Sequence, residues 1–169
     1  MNKLKKIWNF LFGFKGRIGR LHFAIFLPFF LISIFIFNVL AYPFVRAFSS
    51  PSIVRNSSIY ELILGAAILL ILMALVTVFK YSHIARRTHD YGKSLGNSRI
   101  GTIIILLEII GTLLVFSGKG EFVMLLLVLL SIIAPIFLIA LVFIKGTEGP
   151  NQFGEEPIPF WKKRNIKAE

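Results

Sequence analysis

The sequence predicts an all-α integral membrane protein with four transmembrane helices, both termini in the cytoplasm, and an N-terminal interfacial amphipathic helix. Three observations predict it. Hydrophobic residues make up 56% of the 169-residue chain and mean hydropathy is +0.80, above the roughly 45–50% apolar usage of soluble domains. That excess is gathered into four long runs rather than spread along the chain. The Lys and Arg between the runs also alternate: six in 1–20, two in 43–58, five in 80–99, one in 117–121 and five in 145–169. Because Lys and Arg accumulate on the cytoplasmic side of a membrane, segments 1–20, 80–99 and 145–169 are expected there, in a single membrane domain spanning 1–169.

Each element follows in order. From Met1 to Gly16, Leu4, Ile7, Trp8 and Leu11 recur at helical spacing, with Lys3, Lys5, Lys6 and Asn9 elsewhere on the wheel. That pattern predicts a basic amphipathic helix lying in the interface. Asn9, Gly13 and Lys15 interrupt its apolar character and no small-residue cleavage site follows, so the segment is expected to be retained rather than removed as a signal peptide. The first span, about 21–42, is uncharged and long enough for a hydrocarbon core of ~30 Å. The second, about 59–79, carries Glu61 near one end. The third, about 100–116, is short and contains Glu108; the fourth, about 122–144, contains Pro135, which membrane helices tolerate. The brief turn between the last two predicts an antiparallel hairpin. Asn56-Ser57-Ser58 matches a glycosylation acceptor that matters only in a eukaryotic secretory pathway. The glycines and prolines after Lys145 predict turns, and the terminal Trp161 with its basic neighbours is expected to lie back on the interface.

The stretch from Lys80 to Arg99 is the most informative one, a polar and basic island expected to be a water-facing loop. It joins two other motifs: Phe14-Lys15-Gly16-Arg17-Ile18-Gly19-Arg20 before the first span, and Gly146-Thr147-Glu148-Gly149-Pro150-Asn151-Gln152-Phe153-Gly154-Glu155-Glu156-Pro157 after the last. With Arg86-Arg87-Thr88-His89-Asp90-Tyr91-Gly92-Lys93-Ser94 between them, the three resemble the domain-of-unknown-function 805 family of small bacterial inner-membrane proteins over nearly the whole chain. That family typically shows F-x-G-R-x-x-R, R-R-x-H-D-x-G-x-S and G-x-x-x-x-N-x-[FY]-G-x-x-P in this order. Departures are Thr88 for the usual Leu, Leu95-Gly96-Asn97 where Gly and tryptophans are frequent, and Glu108 at a position commonly apolar or Pro. The resemblance implies a helical protein of the bacterial inner (plasma) membrane and implies no reaction.

Topology places all three motifs on one side. Arg17 and Arg20, at i,i+3, would project from one side of a helix. With Arg86, Arg87 and His89 they would form a basic pocket at headgroup depth, where Arg forks suit phosphate or carboxylate. Asp90 would hold an Arg or orient His89, and Asn151 would cap the surface with both donor and acceptor. The expected partners are anionic lipids of the cytoplasmic leaflet, or a membrane-protein partner or second copy packed through Gly65-Ala66-Ala67. The plainer reading stands beside this one: such arginines set topology, and Asp–Arg pairs pin loops.

Other classes have less support. The net charge of +11 sits beside apolar runs rather than along a groove, which argues against nucleic acid. Absence of cysteine removes disulfides and thiol chemistry. His22, His83, His89 and Asp90 fit no zinc spacing, so no metal or cofactor is expected. Gly92-Lys93-Ser94 lacks the upstream glycine of a phosphate-binding loop, and Ser82, His89 and Asp90 on one segment are not a triad geometry. The leading expectation is therefore a non-enzymatic protein, with a membrane enzyme acting on lipid phosphates as a weaker alternative. Glu108 is expected mid-membrane with Ser33 and Ser131 at similar depth, protonated and hydrogen-bonded in a polar cluster. The other alternative makes it the working residue of a small transporter or a transporter's accessory subunit.

Overall fold

Ser58 opens the longest helix among the described residues with a reciprocal cap: its hydroxyl accepts from the Tyr60 amide at 3.3 Å, and the Glu61 carboxylate accepts from the Ser58 amide at 3.2 Å. The computed structural model describes residues 3–32, 58–117 and 121–158. They form helices α1 (Lys3–Phe12), α2 (Arg20–Ile32), α3 (Ile59–Asp90), α4 (Arg99–Ser117) and α5 (Glu121–Phe143). No strand occurs among the described residues; an isolated bridge joins Asn151 to Gly154. Ser33, the second half of the first span, the Asn56 triplet and the tail from 159 onward lie outside the described residues.

The main departure from expectation is at Lys80. The helix does not stop at Phe79 but runs on through Asp90, so half of the expected loop is the last three turns of α3. Nor does that half face water: Ser82, His83, Arg87 and Thr88 are fully buried. The physical reason is local. Nothing from Lys80 to Asp90 is Gly or Pro, and the polar side chains find partners inside the protein rather than competing with the helix backbone. Termination waits for Gly92, whose φ of 79° is the left-handed conformation that closes a helix. The Gly92 amide bonds the His89 carbonyl and the Lys93 amide bonds the Thr88 carbonyl, the paired pattern of a Schellman motif.

A short linker leads to Ser98, which caps α4 by accepting from the Gly101 amide at 3.1 Å and also bonds Tyr91 Oη. Helices α4 and α5 pack on one another, as the expected hairpin requires. The buried apolar core, Ile18, Phe23, Phe30, Ile84, Ile104, Leu138 and Leu141, gathers near the Asp90 end of α3 and draws on every segment but α1. Phe23 and Phe30 lie on one face of α2 and meet at 6.0 Å, while Phe79 of α3 packs edge-on to Phe30 at 5.6 Å.

Helix α1 is held from behind. Its last carbonyls lack helical donors, and α3 supplies them: Arg86 Nη2 donates to the Phe10 carbonyl at 2.7 Å, and Ser82 Oγ to the Leu11 carbonyl at 2.9 Å. The apolar face predicted for α1 stays uncovered, with Leu4 73% exposed. The outer surface of α3 is likewise apolar and exposed. Among the described residues it is the one helix long and apolar enough to cross a membrane by length and composition.

Candidate functional site

The last two turns of α3 sort their side chains by helical angle. Neighbouring residues point about 100° apart on a 3.6-residue helix, so Arg86 turns toward α1 while Arg87 and Asp90, at i,i+3, share the opposite flank. Arg87 Nη1 bonds Asp90 Oδ2. On the other oxygen, Arg17 Nη2 and Nε donate to Oδ1 at 3.1 and 3.3 Å. One carboxylate thus holds two guanidiniums, Arg17 and Arg87, that stand 70 residues apart in the chain.

The rest of both forks is spent on backbone carbonyls. Arg17 donates to the carbonyls of Thr147 at 2.6 Å, Gly149 at 2.7 Å, and Asp90 and Gly154 at 3.3 Å. Its side chain is 0% exposed. Arg87 donates through Nε to the Leu141 carbonyl at 2.9 Å and through Nη2 to that of Ile144. Those carbonyls end α5, where the helix dipole favours a cation. Two guanidiniums against one carboxylate leave a surplus positive charge in a buried place, and this ring of carbonyl dipoles answers it. Burial pulls the Arg87 guanidinium below its ordinary value, while the adjacent Asp90 acts against that.

The tail after α5 folds over this core as a strap. The Asp90 carbonyl accepts from the Thr147 amide at 2.8 Å and from its hydroxyl at 3.0 Å. Asn151 Nδ2 donates to the His89 carbonyl at 2.9 Å and to Thr147 Oγ1 at 3.0 Å, and its Oδ1 accepts from the Phe153 amide. The Phe153 ring stacks flat on His89, centroids 3.9 Å apart. His89 Nδ1 donates to the Gly16 carbonyl at 3.0 Å, which sets its tautomer. Gly146 has no room for a side chain, because a Cβ there would collide with the Asp90 carboxylate.

The structure therefore brings Arg17, Arg87, His89, Asp90 and Asn151 together and engages them with one another and with nearby backbone and Phe153, Asp90 also lining a cavity beside the strap. Asp90 holds arginines; it does not orient His89. Arg86 belongs to a separate cluster, with Nη2 3.2 Å from His83 Nε2 and Nε 3.3 Å from the Ser82 carbonyl. Arg17 and Arg20 do not share a helix face, because α2 begins only at Arg20. Arg17 turns inward, whereas Arg20 is exposed and, with His22 and Lys145, borders a cavity of about 340 Å³ beside the strap. Among the described residues no group of three or more His, Asp or Glu is placed to hold a metal ion.

Among the described residues, Ser131 lines one cavity with Glu108 and bonds its own helix at the Val128 carbonyl, 2.7 Å, while Ser33 is outside the described residues. Glu108 itself takes Lys80 Nζ on one oxygen and Tyr81 Oη on the other, partners outside the expected serine cluster. Lys80 and Tyr81 are the residues sequence reasoning missed. The signal was available: they lie about as far before the α3–α4 linker as Glu108 lies after it.

Comparison with known proteins bears on the same residues. A family model described as "Protein of unknown function (DUF805)" matches residues 11–155, a range that begins before Arg17 and ends just past Gly154. No curated protein and no solved structure matches the chain.

Replacing Asp90 by Asn would strand two buried guanidiniums. Asp90→Asn is expected to lose roughly 3–5 kcal/mol of stability, read as a lowered midpoint of denaturant unfolding in detergent micelles. Two histidines contribute to the pH dependence: burial lowers the pKa of His83 to about 4, and it lowers that of His89 against the opposing pull of the Gly16 carbonyl. A folded-state pKa below the unfolded value of about 6.5 means the unfolded chain binds more protons. Stability is then full above about pH 6.5 and falls as pH drops through the lower folded value. His89→Gln should reduce that slope in thermal unfolding measured from pH 7.5 to 5, leaving the part due to His83.

Proposed function

The chain belongs to the DUF805 family of proteins of unknown function, and on that premise we propose that it is a non-enzymatic inner-membrane protein of four spans. Both termini lie in the cytoplasm, α1 lies in the interface, and the outer basic residues of the cytoplasmic face hold anionic lipid headgroups. The observation that carries this reading is the distribution of polar groups. The fork of Arg17 and the charges of Arg87 and Asp90 are spent inside the protein, while Lys3, Lys5, Lys6, Lys15, Arg20, Lys93 and Arg99 are exposed around the same end of the bundle.

The exposed surface supports the membrane setting. Large apolar side chains cover the outsides of α3 and α5, and fully buried positions include Arg87, His83 and Ser82. A water-soluble protein arranges its residues the other way round. The uncovered apolar face of α1, backed by Lys3, Lys5 and Lys6, suits a headgroup boundary, where each basic residue gains about 1 kcal/mol from an anionic leaflet. A non-enzymatic role is supported by the state of the groups an enzyme reading would need: His89 is bonded to a carbonyl and stacked on Phe153, and Asp90 is held by two arginines.

Native mass spectrometry of the protein released from nanodiscs tests this. Discs mixing phosphatidylglycerol with phosphatidylcholine should yield protein retaining mainly phosphatidylglycerol. A variant with Lys3, Lys5, Lys6 and Arg20 all changed to Gln should retain less than half as much. Equal retention of the two lipids by the unaltered protein would overturn the headgroup assignment.

A further inference from the structure

The Lys80–Glu108 pair stands between two cavities, of about 450 and 630 Å³, that open on either side of the α3–α4 contact. Met73, Thr77, Glu108 and Thr112 border both. The smaller one is walled by apolar side chains of α2, α3, α4 and α5, among them Leu31, Val76, Leu107 and Leu130. Its polar side chains are Thr77 and Lys80 of α3, Glu108 and Thr112 of α4, and Ser131 of α5. The Glu108 side chain is 44% exposed and so faces the open space, whereas Lys80 is only 9% exposed.

These groups have unused capacity. An ammonium carries several donors, and among the described residues that of Lys80 donates to Glu108 and lies over the Tyr81 ring at 4.8 Å. The Thr112 and Ser131 hydroxyls donate to carbonyls of their own helices, at 2.8 and 2.7 Å, and keep oxygen lone pairs. Pro135, also at the cavity wall, has no N–H, so the Ser131 carbonyl one turn back loses its helical donor. A site in hydrocarbon must satisfy such a carbonyl from another source.

We infer that the cavity between α3, α4 and α5 binds a membrane-dissolved amphiphile with an uncharged hydroxyl head and a hydrocarbon chain. The inference rests on the membrane reading above but concerns a different part of the protein. The charges select the head. Lys80 and Glu108 balance one another, so a phosphate or carboxylate head would bring an uncompensated charge into a low-dielectric place. A hydroxyl does not, and it meets both needs at once, accepting from Lys80 while donating to the Ser131 carbonyl. The apolar walls take the chain. Diacylglycerols and isoprenoid alcohols both have this chemistry.

Photo-crosslinking of the full chain in native membranes tests the site. Diazirine-bearing diacylglycerol, a diazirine polyprenol and a chain-matched diazirine phosphatidic acid are each irradiated, and the labelled peptides mapped by mass spectrometry. One or both hydroxyl probes should label the Met73–Lys80 and Leu130–Pro135 stretches about tenfold above phosphatidic acid, the scale of one net hydrogen bond. Whichever of the two labels more names the source. Gly111 lines the cavity and has room for a Cβ, which would meet only Leu130 at 3.8 Å, so the rest of the side chain in Gly111→Leu enters the cavity; it should remove that labelling while the protein stays folded by circular dichroism. The double variant Lys80→Met with Glu108→Met should abolish the preference for hydroxyl over phosphate. Labelling that is equal for all probes, spread along the outer faces of α3 and α5, or undiminished in Gly111→Leu would overturn the site. Release of the protein by alkaline carbonate would overturn the membrane reading with it, whereas membrane-retained protein lacking cavity label overturns this inference alone.

Discussion

The Asp90 carboxylate, shared by Arg17 and Arg87, is the interaction on which the arrangement of this protein depends. It joins the segment before α2, the end of α3, the end of α5 and the strap that follows. None of these could be left alone: the guanidiniums would be buried cations, the carbonyls ending α5 would be orphan acceptors, and Asp90 would be a buried anion. Each group solves the desolvation problem of another, and among the described residues no buried side-chain polar atom is left without a partner. Removing any member exposes the cost that the others had offset. Such a network defines register more than it adds net stability, which fits its position where four segments of chain must meet.

A second polar contact lies about 15 Å along α3, ten residues back from Asp90 at the helical rise. There Lys80 and Tyr81 reach Glu108 of α4. The two contacts differ in kind. The one at Asp90 is closed, with both forks directed at fixed acceptors and Gly146 pressed against the carboxylate. The one at Glu108 is open to cavities on both sides. Rigid support at one end of α3 with looser packing along its length is the arrangement expected of a bundle that holds a ligand between helices.

Much of this was legible in the sequence. The helical content and the amphipathic character of α1 could be read from pattern, and the motifs singled out Arg17, Arg87, Asp90 and Asn151 without the internal contacts they make. What could not be read was the direction in which the motifs faced. Polar residues after an apolar run look like a loop, and only the packing of α1, α2 and the strap around them shows that Lys80 to Asp90 is buried helix. A loop over that stretch gives no way to place Lys80 level with Glu108, which leaves serines as the polar groups nearest in predicted depth. Arg17 and Arg20 gave the opposite error: their spacing suggested one helix face, but Gly16 and Gly19 keep that segment out of the helix until Arg20. The glycines read as simple turns also hid a second role, because the carbonyls of Gly149 and Gly154 are acceptors for Arg17.

Hydrogen–deuterium exchange across residues 145–154, compared between the unaltered protein and Arg17→Met, tests the central claim most directly. If Arg17 fastens the strap, its loss should speed exchange of those amides by about tenfold or more, Thr147 among them, while peptides from α4 and the middle of α5 keep their protection. Unchanged exchange in 145–154 of a folded Arg17→Met protein would contradict the account, because the strap would then be held by something other than the shared carboxylate and its arginines.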